Sequence, residues 1–323
     1  MRAIVFPEKC RVEVWSGLKP RALKDDEVRL QTVYTGVSAG TERHVMMGGP
    51  YSGRFPVIPG YQNVGRIIEI GPGVSGWNVG DIVFSDGGLP PEGWTGSSWG
   101  GHIEVRNRRP EGNFVKIPSN LALEEASLVG VMSIGMKAAK RGNVRLSDKV
   151  LVIGLGLIGQ GCAQSSNAMG AEVHGVDLLP LRLEVSRKAS CHEVWDGREV
   201  DVWDRIRGAG PFDVVFETTG VEGIPDLALS CIRNSTGRMV AIAGRVYMTY
   251  KNIGSGQAHE ATVIHTSHFG PGDVHDVIRQ VLNHRIVINP LITHRVSVDE
   301  APKIFIKMLD DQSEILGVIF SWQ

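Results

Sequence analysis

The sequence has little of what most specialised protein classes depend on. Its four cysteines, Cys10, Cys162, Cys191 and Cys231, stand far apart with no C-x-x-C pair. That spacing argues against a disulfide framework and against a cysteine zinc site, and leaves buried thiols as the plain reading. Charge of one sign is missing too: 34 Lys and Arg face 35 Asp and Glu, for a formal net charge of −1. Without a basic block the chain lacks the footprint that phosphate-backbone binding requires, so nucleic acid is not an expected partner. No run of about 18 uncharged apolar residues occurs, and the opening "MRAIVFPEKCRVEVW" has no sustained apolar core. A cytoplasmic protein without a membrane partner is the expectation.

What is present is a globular composition. At 323 residues, with 42% hydrophobic and 21% charged residues and 40 glycines, the chain is long enough for two domains with many tight turns. Residues 1–131 hold short β-rich runs such as "EVRLQTVYTGV", "VGRIIEIG" and "HIEVR", broken by glycine and proline. Residues 132–267 alternate buried-strand runs with helical stretches, as in "KVLVIGLG" followed by "GQGCAQSSNAMG", which predicts a parallel sheet covered by helices on both faces. Residues 268–323 return to the style of the first part after an amphipathic "DVHDVIRQVLNHR". The fold class is therefore α/β plus β, a doubly wound sheet inserted into a β domain.

The strongest motif is G-x-G-x-x-G at Gly154, Gly156 and Gly159, directly after "VLVI" and directly before a helix-compatible segment. Glycine permits the turn, lets backbone approach a pyrophosphate and lets helix pack on strand. The helix start at Leu157 and Ile158 supplies unpaired N–H groups and partial positive charge. The next strand ends at Asp177, about 20 residues on, where a carboxylate can accept from both hydroxyls of an adenosine ribose. Its charge would repel a 2′-phosphate, and no arginine follows immediately; Arg182 lies past Pro180. The cofactor expected is NAD. Thr219 and Gly220 in "FETTG", with Ala243 and Gly244 in "AIAG", end later strands and would line the cofactor crevice; the alternative is ordinary turns.

These features together resemble the medium-chain dehydrogenase/reductase superfamily, whose catalytic domain is chaperonin-10-like (GroES-like) with an inserted Rossmann domain. The resemblance rests on "TGVSAGTERH" (Thr35 to His44), "IPGYQNVGRIIEIGPGVSGWNVGDIV" (Ile58 to Val83), "WGGHIEV", "SLVGVMSIGMKAAKRG", the glycine fingerprint and the closing "LITHRVSVDEAPKIFIKML". It covers essentially the whole chain. Zinc-dependent relatives carry a cysteine in G-[IV]-C-x-[ST]-D-x-H and a His-Glu pair in P-G-H-E. Here Ser38 or Ala39 stands at the cysteine position, Tyr61 at the histidine and Gln62 at the glutamate, so the resemblance points to a zinc-less subgroup with no metal. S-A-G-T-E with P-G-Y is locally similar to bacteriochlorophyllide dehydrogenases, and zinc-free quinone and enoyl reductases share the loss.

Without a metal, the alkoxide character of a reacting alcohol needs protein groups instead. Tyr61, where a ligand histidine stood, is either an acid/base or an aromatic filling the lost site. As a base it would need a cation such as Arg43 or Lys137 to lower its pKa. Thr41 matches the hydroxyl that contacts the alcohol in the family and His44 the histidine that relays its proton; both are equally readable as scaffold. Glu42 either holds the loop through an ion pair or acts as a base. His102 replaces an aromatic and reads as structural. His265 and His268 stand near the strand that passes the nicotinamide in the family, while Trp94 and Trp99 either stack on a planar ligand or pack a lid.

The leading reading is a zinc-independent, NAD-dependent oxidoreductase acting on a secondary alcohol such as a sugar or cyclitol. The alternatives are an NADH-dependent enone, enoyl or quinone reductase and a non-catalytic NAD(H)-binding protein. A small molecule is the expected substrate, and the resemblance implies a homodimer or homotetramer.

Overall fold

In the computed structural model, residues 1–244 and 247–323 are described. The chain divides into two compact units, Met1–Gly130 with Ile292–Gln323, and Val131–Leu291. The first boundary lies within one residue of the expected one. The second falls at 292 instead of 268, because the amphipathic helix Pro271–Leu282 belongs to the second unit. There Val274, Val277, Ile278 and Val281 are buried. Lys140 Nζ holds Asp273 at 2.7 Å and Asp276 at 2.6 Å. Gln164 bonds both the N–H and the C=O of Val287. Periodicity identifies such a helix but does not say which unit its apolar face will meet.

In the first unit, strand Val28–Gly36 organises a seven-stranded sheet, pairing antiparallel with Gln62–Ile70, Gly317–Ser321 and Val105–Arg108. Its alternation of buried and half-buried residues is that of a strand with one face on a core. Register sets Gly36 opposite Gln62 and Thr35 opposite Asn63, which brings "TGVSAGTE" beside "PGYQN". Helix Ala39–Met46 follows and packs Val45 and Met46 into a core with Phe6, Phe305, Val318, Phe320 and Trp322. The closing segment thus completes the support of the first unit's motifs.

The second unit is a six-stranded parallel sheet in the order Glu193–Asp196, Glu172–Asp177, Lys149–Ile153, Val214–Glu217, Arg238–Ala241, Thr262–His265. Strand order reverses beside Lys149–Ile153, which is where a doubly wound sheet opens a crevice. Among the described residues, no helix is long and apolar enough to cross a membrane.

One buried group in this sheet generates a pH dependence. His174 is 3% exposed and stacks on Trp195 at 5.2 Å. Burial lowers its pKa, and the hydrogen bond that His174 Nε2 makes to Glu172 Oε1 at 2.6 Å offsets this only in part. Near its ordinary pKa of about 6.5 the unfolded chain therefore binds more protons than the folded one, so stability falls as pH drops through that window. Denaturant midpoints taken between neutral pH and the onset of carboxylate titration should fall with pH, and His174→Gln should flatten the slope. An identical slope in the variant would show that another group carries it.

Candidate functional site

The nucleotide turn is built from backbone first. Strand Lys149–Ile153 ends at Gly154, whose φ of +91° suits glycine and where a Cβ would lie 2.6 Å from Thr218 Oγ1. Helix Leu157–Ala168 begins three residues later, and a side chain at Gly159 would collide with the Gly154 carbonyl at 1.9 Å. Above Gly156 the nearest atom to a Cβ would be Arg182 Nη1 at 3.9 Å, leaving room for a diphosphate against the helix start. The described residues fit a dinucleotide at Gly154, Gly156, Leu157, Ile158 and Gly159.

Asp177 is held more tightly than its motif predicts. Its Oδ2 accepts from the Leu155 N–H at 2.6 Å, and its Oδ1 accepts from the N–H groups of Leu178 at 2.7 Å and Leu179 at 2.9 Å. A carboxylate offers about four lone-pair positions, so backbone takes three and roughly one remains for a ribose hydroxyl. Acceptance from both hydroxyls, expected from the motif, is not open in this arrangement. Arg182 lies with Nη1 3.5 Å from Asp177 Oδ2, so the intervening proline does not keep that cation away. At the end of strand Val214–Glu217, the buried Glu217 takes the Thr219 N–H at 2.9 Å, the Thr219 hydroxyl at 2.5 Å and the Gly220 N–H at 3.1 Å. A Cβ on Gly220 would touch Ala243 at 3.3 Å, which places these two residues at adjoining strand ends; Gly244 follows Ala243. Glu217 and Thr218 were missed by motif reading, although "FETTG" drew attention to their segment.

In the first unit, Tyr61 and Thr41 are brought together through Ser38. The Tyr61 hydroxyl donates to Ser38 Oγ at 2.8 Å, and Ser38 Oγ donates to Thr41 Oγ1 at 3.3 Å. His44 stands apart, its ring 5.6 Å from that of Tyr51. Tyr61 is 6% exposed, and its pKa is pushed well above the ordinary phenol value by burial, with the charge of Glu42 adding and the Ser38 hydrogen bond opposing. The expected lowering by Arg43 or Lys137 is overturned: Lys137 Nζ is bound to the Ser267 carbonyl at 3.0 Å in the second unit, and the net shift is upward. At neutral pH Tyr61 is a neutral phenol, a donor of protons in place of a phenolate base.

Glu42 takes the first of its two expected roles. Its Oε2 bonds His102 Nε2 at 2.8 Å and its Oε1 accepts from the Ser38 N–H at 2.8 Å. Trp99 lies by Tyr61, ring centroids 6.1 Å apart, whereas Trp94 packs edge-on against Trp15 at 5.8 Å. His265 ends the edge strand of the second sheet and is exposed; His268 contacts the Phe269 ring at 4.3 Å. Where zinc relatives hold ligands, the chain presents Ser38, Tyr61 and Gln62, and the nearby carboxylate and imidazole are committed to each other. Among the described residues, no group of three or more His, Cys, Asp or Glu side chains could hold a metal ion. This donor set does not fit zinc.

A β domain around a hydroxyl cluster and a doubly wound sheet ending in a glycine turn define a two-unit oxidoreductase. Residues 24–119 match the alcohol dehydrogenase GroES-like domain and residues 158–283 the zinc-binding dehydrogenase family. The chain belongs to the medium-chain dehydrogenase/reductase superfamily. It is 26% identical to D-xylulose reductase of Saccharomyces cerevisiae over 94% of this chain and 92% of that one. It is 24% identical to sorbitol dehydrogenase 1 of the same organism over 90% of each. Galactitol-1-phosphate dehydrogenase from Escherichia coli has the same fold, with a TM-score of 0.87 at 18% identity, over 99% of this chain and all of that one.

The pairing of Asp177 with Arg182 predicts how the turn discriminates between cofactors. Asp177→Ala should weaken NADH binding about tenfold, as expected for a lost hydrogen bond to a charged group, and should free Arg182 for a phosphate. Fluorescence titration should then show a smaller NADH-to-NADPH preference. An unchanged ratio would remove the carboxylate from cofactor choice.

Proposed function

We propose that this protein is a zinc-independent, NAD-dependent dehydrogenase that transfers hydride between a secondary alcohol, such as a sugar, polyol or cyclitol, and NAD. The observation that carries the reading is the Tyr61–Ser38–Thr41 hydroxyl chain, which includes Tyr61 at the position of a ligand histidine in metal-dependent relatives. The polyol relatives, matched along nine-tenths of the chain, support the substrate class.

Bound nicotinamide supplies the hydride acceptor. The protein must then manage one proton, because alcohol oxidation removes hydride from carbon and a proton from oxygen. A neutral phenol does this by exchange: Tyr61 accepts the substrate's hydroxyl proton as its own passes to Ser38, and Ser38's passes to Thr41. Each hydroxyl gives one proton and takes one, so no phenolate accumulates. Thr41 is half-exposed and hands the proton on toward solvent, with His44 one turn along the same helix. Ketone reduction runs the same chain backwards, with Tyr61 as donor to the developing alkoxide. The raised pKa of Tyr61 would equally suit protonation of an enolate, which keeps enone reduction as a second reading.

On the nucleotide side, Gly154 to Gly159 would cradle the diphosphate, Asp177 would take one ribose hydroxyl, and Thr219, Gly220, Ala243 and Gly244 would border the cofactor. NAD is favoured over NADP because the charge of the Asp177 carboxylate would repel a 2′-phosphate. The reading is tested on chelator-treated protein by following NAD⁺ reduction with sorbitol, xylitol and other polyols. Turnover should survive chelation, and Tyr61→Phe should lower kcat by about 10²-fold or more while NADH affinity stays unchanged. Activity that is lost with chelator and returns with zinc would overturn metal independence; NADH consumption by enones alone would establish the second reading.

A further inference from the structure

The buried partners behind the hydroxyl chain form a continuous, directed network. Glu42 is 1% exposed and His102 is fully buried, so each must have its polar atoms satisfied by protein groups. Trp322 Nε1 donates to Thr35 Oγ1 at 3.0 Å, and Thr35 Oγ1 meets His102 Nδ1 at 2.8 Å. An indole N–H only donates, so the Thr35 oxygen accepts there. A carboxylate oxygen only accepts, so His102 Nε2 donates to Glu42 Oε2 at 2.8 Å, which leaves Nδ1 to take the Thr35 hydrogen. Glu42 Oε1 then takes the Ser38 amide at 2.8 Å. Every link then pairs one donor with one acceptor.

Ser38 shows what the network does. It occupies the N-cap of helix Ala39–Met46, where a serine ordinarily spends its hydroxyl on a free helix N–H. Here its side chain makes no cap hydrogen bond. Glu42, from inside the helix, reaches back to hold the serine's backbone, and the hydroxyl is left to bridge Tyr61 and Thr41. The room for this is built in: Gly60 has φ +86°, and a Cβ there would lie 2.6 Å from the His102 ring. Phe305 and Phe320 close the other sides of that ring, at 6.3 and 5.6 Å between centroids.

We propose that Glu42 and His102 are positioning residues, a buried carboxylate–imidazole brace that fixes Ser38 so that its hydroxyl carries protons between Tyr61 and Thr41. The proposal rests on the proton-exchange reading of Tyr61 given above. The titratable groups it involves are Tyr61, Glu42 and His102, faced by Thr35, Ser38, Thr41 and the rings of Trp99, Phe305, Phe320 and Trp322. The Glu42 charge acts on Tyr61 across this network and raises its pKa.

The test uses the full chain, labelled with ¹³Cζ-tyrosine so that the Tyr61 phenol is read by NMR without turnover, its signal assigned by loss in Tyr61→Phe. In Glu42→Gln, which keeps the side chain's shape, the phenol should begin to ionise about one unit lower in pH, the size of a nearby charge effect. Its kcat should fall about tenfold with KM little changed, the pattern of an interaction made in the transition state. His102→Gln keeps the Glu42 charge, so it should lower kcat in the same direction while leaving the phenol titration in place. Ser38→Ala leaves the braced amide in place but cuts the hydroxyl chain, so adding Glu42→Gln to it should cost little further kcat. Additive losses, or a Tyr61 titration that does not move in Glu42→Gln, would overturn the proposal. Should Tyr61→Phe stay active while Glu42→Gln still moves the titration, the brace stands and the catalytic reading of Tyr61 falls. Should Tyr61→Phe be inactive and the titration unmoved, the reverse holds.

Discussion

A carboxylate removed from water must be given donors, and in this molecule that requirement at Glu42 organises the first unit. Two hydrogen bonds reach it, one from the Ser38 backbone and one from His102. Satisfying the histidine in turn needs Thr35, and Thr35 takes the indole of Trp322. Four chain segments, with numbers near 35, 40, 102 and 322, are therefore tied together by one charge. Leaving any link open would strand a polar group in the interior, at a cost of about 1–3 kcal/mol or more for a charged one. The surrounding rings of Phe305 and Phe320 deny water access that would relax this demand.

Of the two candidate sites, the glycine turn of the second unit was the more legible. A glycine turn is specified within six residues by steric rules, so Gly154, Gly156 and Gly159 announce their task without knowledge of the rest. Asp177 was legible as the end of the next strand, but its engagement by three backbone donors and its closeness to Arg182 were not. Those partners depend on how the chain curls after the strand, which no residue type specifies. The helix at 271–282 was legible as a helix and misplaced between units, because amphipathic spacing says that a face is buried and not against what.

The first unit's site was legible as a set of substitutions and opaque as a mechanism. Ser38, Tyr61 and Gln62 stand out as residues that replace ligands. Yet the partner of Glu42 lies 60 positions away, in a histidine that local pattern reads as scaffold. The upward shift of the Tyr61 pKa was hidden from the sequence for the same reason. A motif shows the residue type, whereas burial and the neighbouring negative charge arise only when distant strands close over it.

The hydrogen bond from Trp322 to Thr35 spans 287 positions and sets a temporal order on biosynthesis. As the chain leaves the ribosome, the whole of 131–291 is available to form its parallel sheet before strand Gly317–Ser321 and Trp322 appear. The first unit, although begun earlier, must wait with an incomplete sheet and an unfinished core around Phe6 and Met46. A nucleotide-binding fold can thus be in place while the hydroxyl chain still lacks its support, so nascent chains would gain cofactor affinity before chemical competence.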